Sequence, residues 1–190
     1  MATKVITGKV RFSYVNIFEP QKNDDGTDGK YGVTLIIPKS DTVTLGKIKE
    51  AMAEARESFC KRNGATALPQ KPNHTLHDGD GTKDNGEPYG EECKGCYVIA
   101  VGSKQKPVIV DAFRTEITDP SEVYSGCYGR AAINFYGYSR NGKKGISAGL
   151  QSIQKLHDGE PLGGTRGSAD DFADDFKDDD DDIFGGDMPY

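Results

Sequence analysis

Only one stretch of this sequence repeats its apolar residues at helical intervals. Leu45, Ile48, Met52, Ala55 and Phe59 are spaced three, four, three and four residues apart, which places them on one face of a helix over residues 42–62. Ser40, Asp41 or Thr42 can cap its start, and Asn63-Gly64 is a good stop. The other patterned segments read as strands. Residues 4–18 form one extended segment in which Val10, Phe12 and Tyr14 share a face. A turn rich in Asp-Gly leads to a second strand at 31–37, closed by Pro38. Further strands are predicted at 96–101, 108–113, 126–138 and 144–156, the last two joined by a hairpin signal at 138–142. Residues 65–93 have no periodicity, are rich in Pro, Gly and Asp, and are too long for an ordinary connection. Two strands, a helix, a loop and about four strands suggest a mainly β chain, folded as a small closed or partly open barrel with one internal helix.

Charge divides the chain in a different place. Residues 168–190 hold ten aspartates and one lysine, out of 30 acidic and 24 basic residues in all. The remaining body is mildly basic. An acidic block of this kind cannot bury enough apolar surface to offset its ordering entropy, so a flexible hinge and acidic tail are expected over 161–190, after a domain spanning 1–160 that includes a long internal loop at 65–95. The tail is not purely acidic. Asp178, Asp179, Asp180, Asp181 and Asp182 run into Ile183 and Phe184, and the chain ends on Tyr190. Acid flanking apolar anchors is how flexible segments dock into basic-rimmed pockets, so a partner-docking role is expected. A basic body tethered to such a tail suggests a polyanionic ligand with the tail as internal competitor. No run reaches the roughly 18 apolar residues of a membrane span, and the amino terminus has no apolar leader segment. A cytoplasmic protein with reduced cysteines is expected.

Basic and aromatic residues interleave on or beside the strands. They are Arg11, Tyr14, Lys30, Tyr31, Lys104, Lys106, Arg114, Arg130, Tyr136, Tyr138, Arg140, Lys143 and Lys144. Unpaired nucleic acid needs this combination, cations for phosphates and flat rings on which bases stack. Taken singly, most strand rings are core and most cations are solvated surface. The cluster of Tyr136, Tyr138, Arg140, Lys143 and Lys144 around one hairpin tip rises above that background, whereas Phe135 reads as core. His74, His77, Cys93 and Cys96 are weak zinc candidates, because the spacing between the two pairs is unusual. The Asp-rich turns lack the register of a calcium loop, and Gly163-Gly164 opens no phosphate-binding loop with its lysine. No catalytic constellation is found, so no enzyme activity, cofactor or metal is expected.

Several segments carry a family resemblance: 9–20 (KVRFSYVNIFEP), 31–41 (YGVTLIIPKSD), 76–81 (LHDGDG), 106–111 (KPVIVD), 124–139 (YSGCYGRAAINFYGYS) and 144–164 (KGISAGLQSIQKLHDGEPLGG). Together they make the chain resemble tailed-phage single-stranded-DNA-binding proteins of the OB-fold type. The tail is similar in design to that of bacterial single-stranded-DNA-binding proteins, which end in DDDIPF-like motifs; here DDDDDIF is internal and GGDMPY follows. The resemblance implies an OB-fold barrel that coats single-stranded DNA with little sequence preference during phage DNA replication or recombination, in the host bacterial cytoplasm. It implies a tail that occupies the DNA groove until DNA displaces it and then recruits replication or recombination proteins. A homo-oligomer is compatible with it. The alternatives are a single-strand annealing protein, which would pair complementary strands, and a phage assembly protein with a chaperone-like acidic tail, which would bind no oligonucleotide.

Overall fold

The computed structural model describes residues 3–162. The expected tail, including Asp178–Asp182, Ile183, Phe184 and Tyr190, lies outside the described residues. The fold is mainly β, as the sequence predicts. Its strands are β1 (Lys4–Ile6), β2 (Val10–Asn16), β3 (Tyr31–Pro38), β4 (Asn73–His74), β5 (Leu76–Asp78), β6 (Cys96–Ser103), β7 (Val108–Val110), β8 (Tyr128–Arg140) and β9 (Lys143–His157), with one helix, α1 (Thr42–Asn63), between β3 and β4.

Five strands make a ring. β2 pairs antiparallel with β3, β3 with β6, β8 with β9 and β2 with β8. The ring closes where β6 meets β9 in parallel through the single pair Gly102↔Gly149. This is an OB-like arrangement, with β1, β4, β5 and β7 as short additions at its margins. Alternation along each strand fills the interior with Val10, Phe12, Val33, Leu35, Ile37, Ile99, Val101, Ile133, Phe135 and Ile153. The outward residues Ile36 and Val98 belong to a separate small cluster with Cys93.

The helix covers the barrel from the side of β8. Its N-cap is Asp41, whose Oδ1 accepts the Thr44 amide at 3.0 Å, and Gly64 ends it with its N–H on the Cys60 carbonyl. Leu45, Ile48, Ala51 and Ala55 are buried, and Met52 and Phe59 pack at the core margin. The predicted face is therefore the observed one.

Three boundaries differ from expectation. The first predicted strand is split by Thr7–Lys9, because the buried Thr7 hydroxyl accepts the Ala131 amide at 3.0 Å and donates to the Gly8 carbonyl, so the chain turns off β8 there. The predicted strand at 108–113 stops at Val110, because the Asp111 carboxylate accepts the Phe113 and Thr115 amides and folds the backbone into a turn. The loop at 65–93 contains two short strands, β4 and β5, that pair with β9 and β6. The β8–β9 hairpin turns on Asn141 and Gly142, both at positive φ as a two-residue type I′ turn requires.

Gly129 of β8 lies against the Gln154 carbonyl and the Phe12 ring, and a Cβ there would meet the ring at 2.7 Å. Gly46 in α1 has nothing within 4 Å of its missing Cβ. The two positions should respond oppositely. In urea denaturation, Gly129→Ala is expected to destabilise by about 1–3 kcal/mol, and Gly46→Ala to stabilise by about 0.5–1 kcal/mol.

Candidate nucleic-acid interface

The outward face of β2, β3 and β6 forms the floor of a depression of about 460 Å³. Ser13, Thr34, Ile36, Val98 and Ala100 supply the floor, and the loop before β6 supplies the roof through Lys83, Asp84, Tyr89, Glu92 and Cys93. The loop stays over the sheet for two reasons. Tyr89 and Cys93 pack on Ile36 and Val98, and an ionic clasp holds its first turn. In the clasp, Lys39 Nζ lies 2.7 Å from Asp78 Oδ1 and 2.6 Å from Asp80 Oδ2, while Asp80 Oδ1 accepts the Gly95 amide at 3.0 Å. Hydrogen bonds from Lys39 hold both carboxyl groups below the usual aspartate value, and the two aspartates hold the ammonium above the usual lysine value.

At the edge of this depression the alternation of β2 breaks. Ser13 pairs with Thr34 and Asn16 with Gly32, so two residues of β2 oppose Val33 alone. Val15 packs against the core and Tyr14 is the extra residue, at φ 47 and 70% exposed. Tyr14 thus leaves the face that alternation has it share with Val10 and Phe12. The bulge turns its ring out beside the depression.

A second depression, about 570 Å³, lies over the seam of the barrel. Its floor includes Gly102 and Gly149. A Cβ on Gly149 would come within 2.5 Å of Asn134 Oδ1, and one on Gly102 within 3.1 Å of the Tyr31 carbonyl, so the floor is bare backbone. Lys30, Lys104, Lys106 and Tyr136 stand around it, with the Tyr136 ring 39% exposed. Lys106 Nζ sits 5.6 Å from the Phe18 ring centre. Ala100 lines the first depression and Gly102 the second. They are successive outward positions on β6, about 7 Å apart, so the two depressions adjoin. A third and shallower one follows along β7 and β9, lined by Val110, Arg114, Arg130, Ser152 and Gln154.

Charge pairing sets these cations apart from five clasped lysines, though not from other surface cations such as Lys4, Lys9, Lys47 and Lys49, which also have no carboxylate within 4 Å among the described residues. Lys22, Lys39, Lys61, Lys94 and Lys155 each have a carboxylate within 4 Å. Among the described residues Lys30, Lys104, Lys106, Arg114 and Arg130 have none; Arg130 donates from Nε to the Thr7 carbonyl. Cations without internal partners, exposed rings and a polar floor can hold phosphates and stack bases.

The remaining predicted residues lie elsewhere. Tyr31 is half-buried and in register with the inward residues of β3. Arg11 is engaged by backbone, with Nε 3.1 Å from the Gly126 carbonyl and Nη2 2.6 Å from the Glu160 carbonyl, and its guanidinium lies over Tyr128. Arg140, Lys143 and Lys144 are exposed at the hairpin tip, and Tyr138 is half-buried beside His74 and His77. Burial pushes the Cys93 and Cys96 thiols up from their ordinary value. Among the described residues no three His, Cys, Asp or Glu side chains gather as metal ligands would, and no helix is long and apolar enough to cross a membrane. Sequence reasoning missed Lys83, Tyr89 and Asn134; the length of the unpatterned loop was the one sign pointing at the first two.

The C-terminal strand end is strapped to the barrel. The Tyr124 hydroxyl meets Asp158 Oδ1 at 3.1 Å and the Gly159 carbonyl at 2.9 Å, and Lys155 Nζ reaches Asp158 at 2.6 Å. Gly126, at φ 116, packs against the Glu160 carbonyl with no room for a side chain. Leu162, the last described residue, packs with the outer cluster of Ile36, Cys93 and Val98, residues that also line the first depression.

The Lys39 clasp gives a pH prediction. Because the Asp78 and Asp80 pKa values are lowered in the folded state, its contribution is present above the ordinary aspartate pKa and is lost as pH falls through the lowered values. The protection factors of the Gly79 and Gly95 amides, exchange rates divided into the intrinsic rate at each pH, are expected to be high at neutral pH and to fall on acidification through that window. Lys39→Met should show the lowered factors already at neutral pH.

Three comparisons bear on this surface. A family model described as the ssDNA-binding protein of Enterobacter phage Enc34 matches residues 3–184. Protein p50 of Acyrthosiphon pisum secondary endosymbiont phage 1 is 30% identical over 176 residues, 89% of this chain and 92% of its own. The solved single-stranded DNA-binding protein from bacteriophage Enc34 in complex with ssDNA aligns with a TM-score of 0.68 at 30% identity, over 85% of this chain and 90% of that chain. The single-stranded DNA-binding protein gp2.5 of bacteriophage T7 shares the fold, with a TM-score of 0.59 at 16% identity over 94% of this chain and 97% of that one.

Proposed function

The chain belongs to the family of the Enterobacter phage Enc34 ssDNA-binding protein, and we propose that it coats and protects single-stranded DNA with little sequence preference during phage DNA replication or recombination, in the cytoplasm of the bacterial host. It acts by binding, without catalysing a reaction. The observation that carries this reading is the run of adjoining depressions across the outer barrel face, edged by Tyr14, Lys30, Lys104, Lys106 and Tyr136, cations without carboxylate partners among the described residues. The floor of the first depression mixes the Ser13 and Thr34 hydroxyls with Ile36, Val98 and Ala100, and that of the second includes glycine backbone, surfaces on which bases can stack.

The acidic tail competes for the same surface and docks replication or recombination partners once DNA has displaced it. Leu162 supports this, because the segment that becomes acidic after it is rooted beside the first depression. Tethering there gives a local concentration on the order of millimolar, so even weak attraction of Asp178–Asp182 to the lysines discriminates against weak ligands. Ile183, Phe184 and Tyr190 supply the apolar anchors for a partner. Both attractions weaken as salt rises.

Fluorescence anisotropy of a labelled oligo-thymidine strand tests the reading, with the full chain and a 1–167 truncation compared at low and moderate salt. The truncation is expected to bind roughly tenfold tighter at low salt, with the gap closing as salt rises. Lys104→Ala and Lys106→Ala should each lower the slope of log K against log salt by about 0.7. If neither chain binds at low salt, the reading fails.

A further inference from the structure

We propose that Phe113 is a stacking post for unpaired bases, carrying the single-stranded-DNA track off the barrel onto the turn after β7; the inference rests on the DNA-binding reading above. Phe113 is 88% exposed, more than any other large apolar side chain among the described residues. A single exposed apolar side chain is common on a protein surface; what sets Phe113 apart is the turn that holds it.

The turn that carries it is firmly built. Asp111 Oδ1 accepts the Phe113 amide at 2.8 Å and the Thr115 amide at 2.9 Å. The Asp111 amide donates to the Thr115 carbonyl at 2.9 Å, and the Arg114 amide to the Asp111 carbonyl at 3.0 Å. Gln154 Nε2 ties the turn to β9 through the Asp111 and Ala112 carbonyls at 3.3 and 3.4 Å. Arg114 is at φ 66, a conformation that costs a non-glycine residue and persists only where its surroundings enforce it. Three described non-glycine residues have positive φ: Tyr14, Arg114 and Asn141. Asn141 serves the hairpin turn. The other two coincide with the two most exposed rings, Tyr14 itself and Phe113 next to Arg114. In both places the backbone is bent out of its favoured region where an aromatic face stands in solvent.

Position connects the two. The seam depression is lined by Val108, and the next by Val110, Arg114 and Arg130, so the surface runs along β7 towards the turn. Tyr14, Tyr136 and Phe113 then mark the start, middle and far end of one track, with lysines and guanidinium groups between them. Phe113 has Asp111, Arg114, Thr115 and Glu116 in its own turn, and the depression leading to it is lined by Ile6, Val110 and Ile153 as well as by Arg114 and Arg130. A guanidinium beside a bare ring suits a base and its phosphate.

The chain contains no tryptophan, so Phe113→Trp places a single reporter on the turn. Its emission should be quenched by an oligo-thymidine strand of roughly 20 nucleotides, longer than the site of one OB barrel, and much less by one of roughly 6. Phe113→Ala should weaken binding of the long strand about tenfold and leave the short strand unchanged, with Phe113→Trp restoring the loss. Unchanged melting of both variants shows that folding is not at issue. Unquenched emission on a strand that anisotropy shows to be bound overturns the proposal, as does unaltered long-strand affinity of Phe113→Ala. An emission change that follows protein concentration without DNA assigns the ring to self-association and also overturns it. If the unmutated chain binds neither strand, the DNA-binding reading falls and takes this proposal with it.

Discussion

A ring of strands that closes through one pair of glycines sets the terms for the rest of this molecule. β6 and β9 run parallel and touch only at Gly102 and Gly149. Both positions are tight: a Cβ on Gly149 would meet Asn134 Oδ1 at 2.5 Å, and one on Gly102 the Tyr31 carbonyl at 3.1 Å. Closure lets Phe12, Leu35, Ile99, Ile133 and Ile153 fill a sealed interior. It also leaves a seam of glycine backbone on the outside, bordered by Asn134, Lys30 and Tyr136.

Charges on the surface sort by task. Lys39 and Lys155 are consumed by carboxylates and by rings, Tyr97 for the first and Tyr124 for the second, and each fastens a segment to the barrel: the long loop in one case, the C-terminal strap in the other. Arg11 does similar work through backbone carbonyls. The lysines around the seam have no such duties. Their charge has its solvent and any phosphate to answer, and exposed cations of this kind are worth little to stability.

Much of this was legible in the sequence, for identifiable reasons. The helix declared itself through spacing, and its apolar face and both caps are those expected, because local periodicity and capping chemistry need no distant partner. The β8–β9 hairpin was readable from Asn141-Gly142. What escaped depended on partners far along the chain. Tyr14 was grouped on one face with Val10 and Phe12 because a bulge exists only relative to β3, and nothing in residues 10–16 reveals it. The strand at 108–113 was drawn too long because Asp111 captures two amides, so Phe113 looked like the end of a core strand. β4 and β5 were hidden because two or three residues carry no period of their own. The interleaved cations were visible as a set, but which of them share a face was not. Arg11 and Lys104 look alike in sequence; only the fold engages one and leaves the other open.

The strands added at the margins of the ring have a consequence for crowding. Edge strands template further pairing when they are long and flat. Here the five long strands use one another's hydrogen bonds, and among the described residues the strands left at the borders are β1, β4, β5 and β7, two or three residues each. A short edge offers a neighbour too few amides to nucleate a shared sheet. Copies packed shoulder to shoulder can therefore reach high local density without knitting into an insoluble polymer. Their neighbours remain separable, and an array of them can be dismantled one molecule at a time.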